Sequence, residues 1–200
     1  MKRNGIMITL EPVKVINRLK KPGPVFIEMA RRAYSLGVTY IYRVNDDTEF
    51  RGHWPKLYVR GLQSLKPPYV GVIGPSSLGS NDHILTHDFV HRIHMEIFEM
   101  NYYPLELVDW WMVDWISFVY GSQRTFISKS SVVVHHIFAH GQRYEVDLRN
   151  QRHLLPAMKD GRKKIRSWML KNNITESLIR NFDDDKRMRF KIADLATLVY

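Results

Sequence analysis

A chain of 200 residues predicts one domain, 1–200, long enough to bury a core, and its 44% hydrophobic and 12% aromatic content excludes a disordered chain. The absence of cysteine excludes disulfides, cysteine-based zinc sites and a thiol nucleophile. The net charge of +10 is uneven: residues 1–32 carry eight Lys/Arg against two acids, residues 149–200 thirteen against six, and the centre nine against twelve. A duplex-binding surface more often places its cations on a central recognition element, whereas basic flanks around an acidic centre suit a phosphate-bearing ligand held through a divalent cation equally well.

In chain order, the opening "MKRNGIMITLEPVKVINRL" has a short apolar run broken by Glu11 and Pro12, a poor signal peptide. No later stretch is long and apolar enough to span a bilayer, so the default expectation is a soluble, cytoplasmic protein. "KKPGPVFIEMARRAYSLG" predicts a helix with a proline start and a glycine stop, its apolar stripe being Phe26, Met29, Ala30 and Ala33. Alternation over residues 38–44 predicts a strand ending at Asn45, Asp46 and Asp47, because buried unpaired carboxylates are costly. "WPKLYVRGLQSL" reads as a second amphipathic helix using Trp54, Leu57, Tyr58, Leu62 and Leu65, and "PPYVGVIGP" as a buried strand. "HILTHDFVHRIHMEIFEM" reads as helical in its later part, "SSVVVHH" as a strand, and residues from Leu154 onward as basic and helical, with "DDDKR" breaking the pattern before a last helix. Helices and apolar strands in this order predict a mixed α/β layer fold, which binds ligands beyond the carboxyl ends of its strands.

Three constellations could carry chemistry. The adjacent acids Asp46 and Asp47 could hold a divalent metal, act as acid and base, or cap a turn. In "DWWMVDWISFVYG", Trp110, Trp111 and Trp115 are too crowded to share one helix face in a core; they could be platforms for a sugar or a base with Asp114 aimed at a hydroxyl, or an aromatic patch with Asp114 as a cap. Among the histidines, His87, His91 and His94 have i, i+4, i+7 spacing and could share a helix face, while His135, His136 and His140 follow a strand and could complete a metal site begun by Asp47. Residues 135 and 136 point to opposite faces, so at most one of them reaches such a site directly. There is no glycine-rich phosphate loop, no nucleophilic Ser or Thr motif, no zinc-finger spacing and no clear nucleic-acid motif.

Taken together, "YRVNDDTEF", "VGVIGP", "THDFVHRIHMEIFEMNYYP", "WWMVDWISFVYG" and "HHIFAHGQRYEVD" resemble the GT-A-type nucleotide-sugar glycosyltransferases, and more distantly the β-1,4-galactosyltransferases. The likeness covers about residues 20–148 as a catalytic core, leaving 149–200 as a basic helical extension. It implies a GT-A-like mixed sheet flanked by helices and an N-terminally abbreviated form of it, since only 39 residues precede Tyr40. It implies transfer of a sugar from a nucleotide-diphosphate sugar, a UDP-sugar favoured, to a glycan or other hydroxyl acceptor. By the same resemblance Asp46 and Asp47 occupy the DxD-type position, with Asp47 the direct ligand of Mn²⁺ or Mg²⁺ and Asn45 or Asp46 facing the donor. Asp114 stands where the base of an inverting displacement is carried. Trp110, Trp111 and Trp115 would line the sugar or acceptor pocket with His87 and Arg92, and His140, or failing it His136 or His135, would be the histidine ligand. The chain departs from the group's pattern at Val113, where an acid is frequent, and at Ile27, where Asn is common. A degenerate or truncated transferase with a binding role, and a basic nucleic-acid-binding protein, are the alternatives.

Overall fold

The computed structural model describes residues 2, 3, 6–78, 83–136 and 144–185. A short antiparallel pair, β1 (Lys2–Arg3) and β2 (Ile6–Met7), precedes α1 (Pro22–Ser35). Pro22 opens the helix, and Gly23 lets it approach the Leu107 and Val108 carbonyls, where a Cβ would lie 2.9 Å from either oxygen. The buried stripe of α1 is Ile27 and Ala30 with Phe26 and Ala33 partly buried; Met29, expected inward, is 48% exposed. Ile27 is thus a core residue.

Strands β3 (Tyr40–Arg43), β4 (Thr48–Arg51), β5 (Val72–Leu78), β6 (Asp88–His91) and β7 (Thr125–His135) form one sheet in the order β3-β6-β5-β7-β4. β3, β5 and β7 run one way and β6 and β4 the other. The carboxyl ends of the three co-directional strands therefore share one rim with the starts of β4 and β6. Sequence alternation did not reveal β4, whose side chains are mostly exposed and which is held by pairing Thr48 with His135 and Arg51 with Val132.

Consecutive strands β3 and β4 lie on opposite edges of this sheet. Flat, with strands about 4.8 Å apart, those edges would be about 19 Å apart. Residues 44–47 reach at most about 17 Å fully extended, so the sheet must curl. The curl is visible in the rings: Tyr42 of β3 meets Phe50 of β4 at 5.5 Å between centroids. Helix α2 (Pro55–Ser64) fills the concave side, where Tyr58 and Leu62 are buried with Leu65, Ile73 and Phe89. Alternate residues Ile41, Val72 and Val90 face the convex side and a larger core. Period-two alternation thus divides each strand between two cores.

The larger core is covered by α1, the short α3 (Ile93–Ile97), α4 (Trp111–Val119), α5 (Gln151–Lys171) and α6 (Glu176–Asp183). Gly161 of α5 sits against Val119 and Trp115 of α4; an added Cβ would come within 2.7 Å of Val119 Cγ2. Residues 88–91 being a strand, His87, His91 and His94 do not share a helix face. His91 stacks on Tyr69 at 4.4 Å, and His94 is buried between the Tyr120 hydroxyl and the Tyr102 carbonyl, each at 2.8 Å. The sequence after "DDDKR" lies outside the described residues.

Candidate functional site

Because the sheet curls, residues 44–47 bridge its rim, and the side chains at that rim converge. The anchor is a buried ion pair: Arg43 Nη2 and Nε donate to Asp88 Oδ2 at 2.6 and 2.9 Å. Asp88, fully buried, also accepts from the Tyr102 hydroxyl at Oδ1 (2.5 Å) and from the Tyr103 hydroxyl at Oδ2 (2.7 Å). Phe26 lies under the guanidinium at 5.2 Å. Burial works against the Arg43 charge, but the Asp88 carboxylate and the two tyrosines hold its pKa above the ordinary arginine value.

The free arm of Arg43, Nη1, donates to Asn45 Oδ1 at 3.2 Å, and Asn45 Nδ2 stands 3.2 Å from His135 Nε2. His135 Nε2 is in turn 2.9 Å from Asp47 Oδ1, with the two side chains 14% and 17% exposed. Despite that closeness Asp47 Oδ1 makes no hydrogen bond, although it is buried. The backbone locks the pair together, with the His136 amide donating to the Asp47 carbonyl at 2.8 Å. Next along β4, Thr48 Oγ1 is 2.6 Å from His87 Nε2, while His87 and His135 rings meet edge to face at 5.5 Å. Burial, Arg43 and His135 push the His87 pKa down to about 3, so the ring is neutral around pH 7.

The rim therefore gathers Asn45, Asp47, Thr48, His87 and His135, four of which the sequence singled out. Asp46 in the same turn is exposed. His136, on the opposite face of β7, meets Glu49 Oε2 at 3.1 Å and not Asp47; the histidine beside the acid is His135. The expected ligand His140 lies outside the described residues. Arg92 is at the other end of β6, about 13 Å of strand from Asp88, with its guanidinium over Tyr34 at 4.4 Å.

All three tryptophans, Trp110, Trp111 and Trp115, donate their indole N–H to backbone carbonyls. Trp111 and Trp115, one turn apart, are both core residues, and their indole nitrogens donate to the Asp147 and Ala157 carbonyls. Trp110 is half-buried and donates to the Tyr144 carbonyl. Fully buried Asp109 ties the start of α4 to the segment leading into α5, accepting from the Asp147 amide at 3.1 Å and Asn150 Nδ2 at 2.9 Å. Asp114 lies in the first turn of α4, half-buried, and is not the helix cap. One turn later, Ser117 Oγ accepts from the Leu85 amide at 2.7 Å, which sets α4 against the segment carrying His87. Val113 is buried in the core and offers no place for an exposed acid.

Among the described residues, no three His, Asp or Glu side chains gather as a metal-binding group. What the rim offers is a two-residue pair. Cis oxygen and nitrogen ligands on a divalent cation at about 2.1 Å stand about 3 Å apart, and Mg²⁺-type sites often use one or two protein ligands completed by phosphates and water. The Asp47–His135 separation and the orphaned Asp47 oxygen fit that chemistry. No described helix is long and apolar enough to cross a membrane. Comparison with family models, curated proteins and solved structures gives no match.

Proposed function

We propose that the protein is a metal-dependent glycosyltransferase that takes its sugar from a nucleotide-diphosphate donor, UDP-linked by preference, and passes it to a hydroxyl acceptor. One observation carries the reading: Asp47 Oδ1 and His135 Nε2 face each other 2.9 Å apart without a hydrogen bond, at the carboxyl-end rim of a mixed α/β sheet. Asp47 and His135 would hold Mn²⁺ or Mg²⁺. A cation held there would supply positive charge against the negative charge that grows on the leaving diphosphate. Arg43 and Asn45 keep the rim in register, and neutral His87 orients Thr48 beside it. Asp114 takes the acceptor hydroxyl proton as that oxygen bonds to the sugar's anomeric carbon and the bond to the diphosphate oxygen breaks. Within a GT-A-like scheme, the curled sheet is the donor-binding element.

A second reading, a non-catalytic protein keeping the same cation and donor site, is favoured by the burial of Val113, which leaves α4 without a second acid beside Asp114. Titration with UDP-glucose, with and without Mn²⁺, tests the common ground, and GDP-mannose serves as a second donor. Metal-dependent binding lost in Asp47→Ala is the expected result; metal-stimulated release of the nucleotide diphosphate separates enzyme from binder. Folded protein that binds neither donor overturns both readings.

A further inference from the structure

We propose that the turn at residues 17–21 and the neighbouring segment 145–149 form a docking surface for an anionic membrane, entered by Leu19 and Leu148 and held by the cations around them. The proposal stands apart from the reading of the rim and uses none of its residues.

Both segments are fastened from behind. Asn17 closes the turn, its Nδ2 donating to the Lys21 carbonyl at 2.9 Å and its Oδ1 accepting from the Lys21 amide at 3.2 Å. The tip of that turn, Arg18, Leu19 and Lys20, faces solvent, with Lys20 in the left-handed region at φ 51°. The second segment is tied to the start of α4, where the Trp111 indole donates to the Asp147 carbonyl at 3.0 Å and buried Asp109 accepts from the Asp147 amide at 3.1 Å. Lys21 Nζ donates to the Glu145 carbonyl at 3.3 Å, so the two segments lie side by side.

These anchors hold apolar and basic side chains out together. Ile16, Leu19, Val146 and Leu148 are 46–76% exposed. A single exposed leucine needs no explanation, but apolar side chains gathered on two adjoining segments mark an interaction surface. Residues 16–21 and 144–152 also carry five cations, Arg18, Lys20, Lys21, Arg149 and Arg152, against Glu145 and Asp147. Asp147 is turned back on its own segment, accepting from the Arg149 amide at 3.0 Å and the Arg149 guanidinium at 2.9 Å. An anionic bilayer meets both kinds of side chain at once: the acyl boundary takes the leucines, and the headgroups take the Lys and Arg. A nucleic acid would serve the cations and leave the leucines in water, and an apolar protein face would do the reverse.

The test is co-sedimentation of the full chain with vesicles of phosphatidylcholine alone and of equal parts phosphatidylcholine and phosphatidylserine. Wild type is expected to bind the mixed vesicles, more weakly as salt rises, and to bind the neutral ones at least about tenfold less. Two double variants at exposed positions, Arg18→Glu with Lys20→Glu and Leu19→Ser with Leu148→Ser, are each expected to weaken that binding at least about tenfold while melting like wild type. Leu57→Ser, at an exposed leucine of α2 on the other side of the sheet, is the control and should bind as wild type does. Absence of binding to the mixed vesicles, or undiminished binding by either double variant, overturns the proposal. Loss in the charge variant alone, with wild-type binding displaced by RNA, overturns it in favour of a polyanion site. Self-association of wild type that the leucine variant abolishes, without vesicle binding, overturns it in favour of a second copy of the chain.

Discussion

Tyr42 and Phe50 come from strands at opposite edges of the sheet, yet their rings meet at 5.5 Å. Trp54 packs on both, at 4.7 Å from Tyr42 and 6.0 Å from Phe50, so three rings close the curl just beneath the acidic turn. Phe50 is 41% exposed, and its truncation loses only part of a buried ring's contribution. Phe50→Ala is expected to cost about 1–2 kcal/mol in urea unfolding. It should also quicken amide exchange at residues 45–47, since the turn is held by that closure. A loss of stability with unchanged exchange in the turn would show that the curl is maintained elsewhere.

The Arg43–Asp88 pair is buried on both sides, and each free oxygen of Asp88 is engaged. Removing one partner leaves a charge uncompensated in the core, which is far worse than losing an exposed pair. Asp88→Asn keeps the shape and removes the charge, and a loss of about 3–5 kcal/mol is expected. Replacement of an exposed ion pair, Arg180–Glu176, should cost well under about 1 kcal/mol by the same assay. Similar costs for both would contradict the burial argument.

How much of this was legible beforehand depends on the kind of signal. Strand β3, helices α1 and α2, and strand β5 follow from apolar periodicity flanked by proline and glycine; the first three are present where that pattern put them, whereas β5 is shifted, running from Val72 through Pro75 to Leu78. Strand β4 was not legible, because "TEFR" has no apolar face and is a strand only through its pairing with β7. The histidines at 87, 91 and 94 misled for a related reason: helical spacing over a short stretch does not exclude a strand, and β-branched Val90 with Phe89 favours one. Asp47 and Asn45 were visible as an acidic turn at a strand end. Their partner His135 was legible only as one of three neighbouring histidines, because the face of β7 is fixed by its register against Thr48. Arg43 and Asp88, which organise the rim, sit inside the quoted stretches "YRVNDDTEF" and "THDFVHR" but far apart in sequence, so only the pairing of β3 with β6 brings them together.

Acid should unfold the protein through two buried histidines. In the fold the His87 pKa is pushed down to about 3 by burial, Arg43 and His135, and that of His94 to about 4 by burial. Unfolding returns both toward 6.5, so below that pH the unfolded chain binds protons that the folded chain refuses, and stability falls as pH falls. At about pH 4.5 each ring would cost about 2–3 kcal/mol relative to neutral pH. His87→Gln is expected to flatten the acid limb of a stability–pH curve between about pH 6 and pH 4, whatever it does to stability at pH 7. An unchanged slope would mean that His87 is not held neutral.

The two faces of β7 give the sharpest separation of roles. His135 turns to Asp47 at the rim, whereas His136 turns outward to Glu49 with half its side chain exposed. A cation held by the first pair binds the folded state alone and stabilises it by an amount set by concentration over affinity, about 2.7 kcal/mol at a hundredfold excess over Kd. Mn²⁺ should therefore raise the melting temperature of wild type and of His136→Ala by similar amounts, and fail to raise that of His135→Ala or Asp47→Asn. His136→Ala breaks only an exposed contact, and its metal-free stability should lie within about 0.5 kcal/mol of wild type. A Mn²⁺ shift that vanishes in His136→Ala and survives in His135→Ala would move the site to the other face of the strand. It would make Glu49 and His136, which meet at 3.1 Å, the pair to consider.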